Sequence, residues 1–142
     1  MPAEVEDPQG EDLHDISLSH RDAEALTVLA VDDDVLVLMN TVMMLEDLGY
    51  HVLQARNGID ALKRIESNKI DVLVTDQKMP AMNGTELIKR AREINPDLPA
   101  VIATGYSEMS NELEQESIHK LEKPFGTNQL RSIIKKAALS AR

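Results

Sequence analysis

Four apolar runs of strand character recur along the chain, and each opens directly onto polar residues. They occupy 27–31, 71–75, 99–103 and 118–121. Asp32-Asp33, Asp76, Thr104 and Lys123-Pro124-Phe125 follow them in turn. Between the runs, apolar residues recur at helical spacing, so strand and helix signals alternate with short connections. That alternation predicts an α/β fold with a parallel sheet covered on both faces. Open sheets of this class place their sites outside the carboxyl ends of the strands. Three carboxylates, a hydroxyl and an ammonium should therefore meet at one edge, a set suited to a divalent cation and a phosphoryl group.

The spacing predicts a first helix over 35–48, stopped by Gly49, then a short strand over 51–54. Asn57-Gly58 precedes a helix over 59–67 that turns Ala61, Leu62 and Ile65 inward. Asn83 caps a helix running to Ile94, closed by Asn95-Pro96. Residues 107–117 are expected to form a short helix, since they offer little apolar surface beyond Met109 and Leu113. A last helix begins near Thr127 and carries Leu130, Ile133, Ile134 and Ala137. The domain is expected over 26–140.

Residues 1–25 differ from the rest. They hold eight acids and one base, a net −7, together with Pro2, Pro8 and Gly10. The remaining residues carry 17 acids and 14 bases, a net −3. This reads as an acidic flexible leader or linker on a nearly balanced domain, with Leu13, Ile16 and Leu18 able to dock weakly. No basic stripe or aromatic platform suits nucleic acid. No long apolar span or export signal is visible, so a cytoplasmic protein with no membrane partner is expected. The absence of cysteine excludes disulfides, thiolate metal sites and a cysteine nucleophile.

Three adjacent acids after a buried strand repel one another, and a bound cation is the natural compensation. Asp34 also suits the N-cap of the first helix. Oxygen ligands without imidazole or thiolate favour Mg²⁺ or Mn²⁺ over zinc. Asp76 stands in the order Asp-x-x-Met-Pro-x-Met-x-Gly, where Pro80 and Gly84 shape a tight turn that presents the Lys78 carbonyl to a metal. Beside a cation, an ionised Asp76 is a nucleophile towards phosphorus. Lys123 precedes a proline that biases it to an extended backbone and leaves the peptide bond open to the cis form.

Residues 26–138 resemble the receiver domain of two-component response regulators. The matching residues are Val31-Asp32-Asp33, Val74-Thr75-Asp76-Gln77-Lys78-Met79-Pro80, Met82-Asn83-Gly84, Ala103-Thr104-Gly105 and Lys123-Pro124-Phe125. The resemblance implies a flavodoxin-like sheet of order 2-1-3-4-5 with five helices. It implies Mg²⁺ held by Asp33 directly, by Asp32 largely through water, by Asp76 and by the Lys78 carbonyl. Asp76 would accept a phosphoryl group from a phosphohistidine of a histidine kinase or phosphotransfer protein. Lys123 would neutralise the phosphoryl oxygens and Thr104 would donate a hydrogen bond to one of them. The only chemistry implied is the domain's own phosphorylation and dephosphorylation, biasing a two-state surface read by a downstream protein.

The sequence departs from the commonest receivers at Lys120, where an aromatic switch residue usually stands. Tyr106, in Thr104-Gly105-Tyr106, is the expected substitute, and it resembles receivers attached to or serving hybrid kinases. Lys78 and Tyr106 are expected to tune dephosphorylation. In the first helix, Val37, Thr41, Met44, Leu45 and Leu48 share one face, assigned to the core. A second stripe, Val35, Leu38, Met39, Val42 and Met43, is expected to dock the kinase or phosphotransfer protein, with Pro124 and Phe125 alongside. Arg131, Lys135 and Lys136 facing Glu112, Glu114 or Glu116 suggest a monomer or weak homodimer. The chain is expected to act as a stand-alone single-domain regulator. Its alternatives are a module of a hybrid histidine kinase, an unphosphorylated scaffold, or an aspartyl-nucleophile phosphatase or phosphotransferase.

Overall fold

The structure, a computed structural model, describes residues 26–105 and 117–140. Five parallel strands form one sheet: β1 (Thr27–Val31), β2 (His51–Ala55), β3 (Val72–Asp76), β4 (Ala100–Thr104) and β5 (His119–Glu122). Their order is β2-β1-β3-β4-β5, as expected. Among the described residues four helices flank it: α1 (Val35–Asp47), α2 (Gly58–Ser67), α3 (Gly84–Ile94) and α4 (Thr127–Ser140). The helix expected over 107–117 lies almost wholly outside the described residues, as do Tyr106, Glu112, Glu114, Glu116 and the segment 1–25.

Side chains alternate across the sheet and fill two separate interiors. Leu29, Leu73 and Ile102 pack under Ile65 of α2 and Leu87 and Ile88 of α3. Val28, Ala30, Val72, Val74 and Val101 pack against Leu38, Val42 and Leu45 of α1 and Leu130 and Ile134 of α4. The near-continuous apolar strands are the signature of a sheet buried on both sides.

Local chemistry sets the element ends. The Asp34 carboxylate accepts the Leu36 and Val37 amides at 3.0 and 3.2 Å, capping α1. Asn57 caps α2 through the Asp60 amide, and Asn83 caps α3 through the Glu86 amide. Asp71 falls outside β3 because its carboxylate accepts the Thr27 amide at 2.7 Å, while its own amide bonds to the Thr27 carbonyl.

The face of α1 corrects the expectation for its two stripes. Leu38 and Val42, expected to dock a partner, are buried with Thr41 and Leu45, whereas Val37, expected inward, is 37 % exposed. The outward apolar surface is Val35, Leu36, Met39 and Met43. A helix apolar on most sides leaves its inward direction open to periodicity, and packing against Val28, Val72 and Ile134 decides it. Leu38→Ala is therefore expected to lower stability by about 2–5 kcal/mol in urea unfolding. Met43→Ala should stay within about 0.5 kcal/mol of the parent.

Candidate functional site

Strand register builds the site. Val31 pairs with Thr75, and Asp76 pairs with Ala103, so the residues following β1 and β4 flank the end of β3. Thr104 pairs with Glu122, which places Lys123 one residue beyond. Main-chain bonds extend these ladders: Asp32 N–H to Ala55 O, Gln77 N–H to Ala103 O and Lys123 N–H to Thr104 O. Four strands thus fix the four motif segments along one edge.

Asp32, Asp33 and Asp76 each bring one carboxylate oxygen to within 4.8 Å of the others. Asp32 and Asp76 are buried and Asp33 is exposed. An all-oxygen cluster with one solvent-facing member fits a hard divalent cation that keeps some of its water. Lys123 closes the other side, its ammonium bonding directly to Asp76 Oδ1. The Lys123-Pro124 peptide bond is cis. Val37, Leu38, Val74, Ala103 and Phe125 form an apolar floor beside these groups.

That floor perturbs Asp32. Burial pushes its carboxyl above the ordinary carboxylate range, and the Asp76 and Asp33 charges push the same way. The Asp34 amide, 2.9 Å from Asp32 Oδ1, and the Lys123 ammonium oppose the shift. A raised acid binds its proton more tightly when folded than when unfolded. Its stabilising contribution is present at acid pH and lost as pH rises through the folded value. A bound cation would compete for the same oxygens, so Mg²⁺ affinity is expected to fall as pH drops into the range where the raised Asp32 carboxyl takes up its proton. Calorimetric titration of the chain with Mg²⁺ across that range checks this.

Thr104 ends β4 fully buried, with its hydroxyl donating to the Gly105 carbonyl at 3.4 Å. Lys78 is exposed on the loop after Asp76, and Lys120 is half-buried on β5. Pro124 is exposed, whereas Phe125 is half-buried and packs against the α1–α4 interior. Phe125 therefore serves the core more than a docking surface, because its ring closes the gap between that interior and the site.

Two local devices hold the loop after Asp76. Gln77 Oε1 accepts both the amide and the hydroxyl of Thr85, at 2.9 and 3.1 Å, and the Gln77 carbonyl accepts the Gly84 amide. This clamp ties the residue after Asp76 to the start of α3. Sequence reasoning missed it; the only signal was Thr85 standing two residues after the cap Asn83. The second device is a γ-turn, in which Met82 N–H bonds to Pro80 O across Ala81 at φ 69°. The tight turn was expected from Pro80 and Gly84, but Ala81 takes the left-handed conformation. Gly84 serves packing instead.

Residues 28–135 match the family described as the response regulator receiver domain. Sporulation initiation phosphotransferase F of Bacillus subtilis is 33 % identical over 114 residues, covering 77 % of this chain and 90 % of that protein. The autoinducer 1 sensor kinase/phosphatase LuxN of Vibrio harveyi is 37 % identical over 113 residues, or 76 % of this chain. The match spans only 13 % of LuxN. Among solved structures, chemotaxis protein CheY4 of Vibrio cholerae matches with a TM-score of 0.72 at 31 % identity, covering 79 % of this chain and 98 % of that one. Sequence, sheet order and the edge cluster thus agree, and the chain belongs to the response regulator receiver domains of two-component signal transduction.

Proposed function

We propose that Asp76 accepts a phosphoryl group from a phosphohistidine on a histidine kinase or histidine phosphotransfer protein. The observation that carries this is the pairing of Asp76 with Lys123 on one side and with Asp32 and Asp33 on the other. A carboxylate oxygen of Asp76 attacks phosphorus as the P–N bond to imidazole breaks. The imidazole keeps the bonding electrons and takes a proton, leaving an acyl phosphate on Asp76. Lys123 neutralises the phosphoryl oxygens, and Thr104 rotates its hydroxyl from Gly105 to donate to one of them. Asp32, Asp33, Asp76 and the Lys78 carbonyl are the proposed Mg²⁺ (or Mn²⁺) ligands. When bound, the cation supplies charge neutralisation to the transferring group.

On this reading the protein is a switch and no enzyme beyond its own phosphorylation and dephosphorylation. Lys78 and Tyr106 tune the latter, with Tyr106 standing in for the aromatic that Lys120 replaces. The signal passes by contact to a downstream protein, in the cytoplasm and without nucleic acid. No helix among the described residues is long and apolar enough to cross a membrane. Coverage of nearly all of phosphotransferase F supports a stand-alone regulator, with residues 1–25 as its leader. The short match to LuxN supports the second reading, a module within a hybrid kinase, with those residues as a linker.

Incubation with acetyl phosphate, followed by intact mass, tests the chemistry. One added phosphoryl group that requires Mg²⁺ supports it. No addition from acetyl phosphate or from a phosphohistidine donor favours an unphosphorylated scaffold. The donor is proposed to dock on Val35, Leu36, Met39 and Met43, whose methionines suit adaptable contacts. Met39→Ser with Met43→Ser should slow transfer from a phosphohistidine protein roughly ten-fold or more. Labelling by acetyl phosphate should be unchanged by the same pair.

A further inference from the structure

Among the described residues β2 is the sheet's outer strand, bonded to β1 alone. Along it runs an open groove of about 750 Å³ between the end of β2 and α2, and three cations line it: Arg56, Lys63 and Arg64. All three are exposed. Among the described residues none of their side chains has an ion pair or hydrogen bond, whereas Arg90 is paired with Glu86 and Lys123 with Asp76. Asp60 is the one acid among the described residues lining the groove, and its carboxylate accepts from Asn57. An unpaired cationic groove is out of character in a chain of net charge −10.

We propose that the acidic segment 1–25 of the same chain occupies this groove. Before Arg21 the segment carries Glu4, Glu6, Asp7, Glu11, Asp12 and Asp15, with no lysine or arginine. It joins the domain beside the groove's own strand, because the Leu26 carbonyl accepts the amide of His51, the first residue of β2, at 3.0 Å. β2 is about 17 Å long at about 3.3 Å per residue. An extended chain covers about 3.3–3.6 Å per residue, so five or six residues before Leu26 run the length of the strand. The acids from Asp15 backwards then fall within reach of Arg56, Lys63 and Arg64.

The competing site for this segment is the apolar strip on α1. It is flanked by Asp33, Asp34, Glu46 and Asp47, which repel an acidic chain. Charge therefore selects the β2 side. Exposed ion pairs are individually weak, but a tether of this length holds the acids at an effective concentration of about millimolar. Occupancy also covers an exposed strand edge, which otherwise invites pairing with other chains. The proposal is independent of phosphorylation at Asp76.

The test uses the full chain. Gln9→Cys creates a unique thiol, since the sequence has no other cysteine, and it carries a nitroxide label. At about 0.02 M salt, amide signals of residues 52–56 and 60–68 are expected to lose most of their intensity. The signals should recover at about 0.5 M salt, where screening is strong. They should also recover in the labelled chain bearing Arg56→Gln, Lys63→Gln and Arg64→Gln, whose unchanged amide dispersion reports an intact fold. Broadening centred on residues 35–43, broadening nowhere, or broadening indifferent to salt and to the triple substitution overturns the proposal. So does broadening that appears when labelled chains are mixed with separately isotope-enriched, unlabelled chains, because the contact would then lie between copies.

Discussion

Asp76→Asn is expected to abolish Mg²⁺-dependent labelling by acetyl phosphate completely while leaving the domain folded. The amide that replaces the carboxylate carries no charge and is a poor nucleophile, so no acyl phosphate forms. The substitution also withdraws one of three clustered oxygens from the proposed cation site. Stability responds differently. Lys123 loses its ion pair with Asp76, yet it is 35 % exposed and reaches water, and one of three mutually repelling carboxylates is gone. These effects oppose each other, so the net change should stay within about 1 kcal/mol. Intact mass and thermal unfolding of the same sample separate chemistry from folding. Residual labelling of a well-folded Asp76→Asn chain would move the acceptor to Asp32 or Asp33.

Gly84→Ala is expected to damage both stability and labelling. A Cβ at Gly84 would lie 2.5 Å from the Asp76 carbonyl oxygen, with the Gln77 Cα at 3.2 Å and Gln77 Oε1 at 3.1 Å. The oxygen belongs to the backbone of Asp76, the proposed phosphoacceptor, so it has no rotamer by which to withdraw. Relief requires moving α3 or the end of β3. Overpacking of this kind costs about 1–3 kcal/mol, against which the gain in helix propensity is up to about 1 kcal/mol. The rate of labelling should fall further than the loss of stability explains, because the displaced atoms hold Asp76 in place. Gly126→Ala is the control: its Cβ meets only the end of the Gln129 side chain, at 3.0 Å, which can turn aside. Urea unfolding and labelling rates of both variants, measured together, decide the point.

The contrast between these glycines marks where sequence reading reached its limit. The strands to within a residue, and the caps Asp34 and Asn83, were legible because they follow from local chemistry and apolar spacing, whereas the strand order came only from the family resemblance. The convergence of Asp32, Asp33, Asp76 and Lys123 was legible because parallel strands share one carboxyl edge. What failed depended on three-dimensional neighbours. The phase of α1 was misassigned because Leu38 and Met39 are equally apolar, and only the side chains beneath the helix distinguish them. Gly84 was read as a turn residue, whereas its role comes from contact with a strand eight residues earlier in the chain. The Gln77–Thr85 clamp has the same origin.

The two interiors have a consequence for how this domain tolerates change. Leu29 and Ala30 are neighbours in sequence, but they answer to different sets of partners on opposite sides of the sheet. Effects of substitutions add when the sites share no partners and couple when they do. Ile88 on α3 and Ile134 on α4 thus vary as independent characters, whereas Leu38 and Ile134 vary together. A lineage can redesign the packing on one side while the other holds the strand ends, and with them the acidic edge, in place.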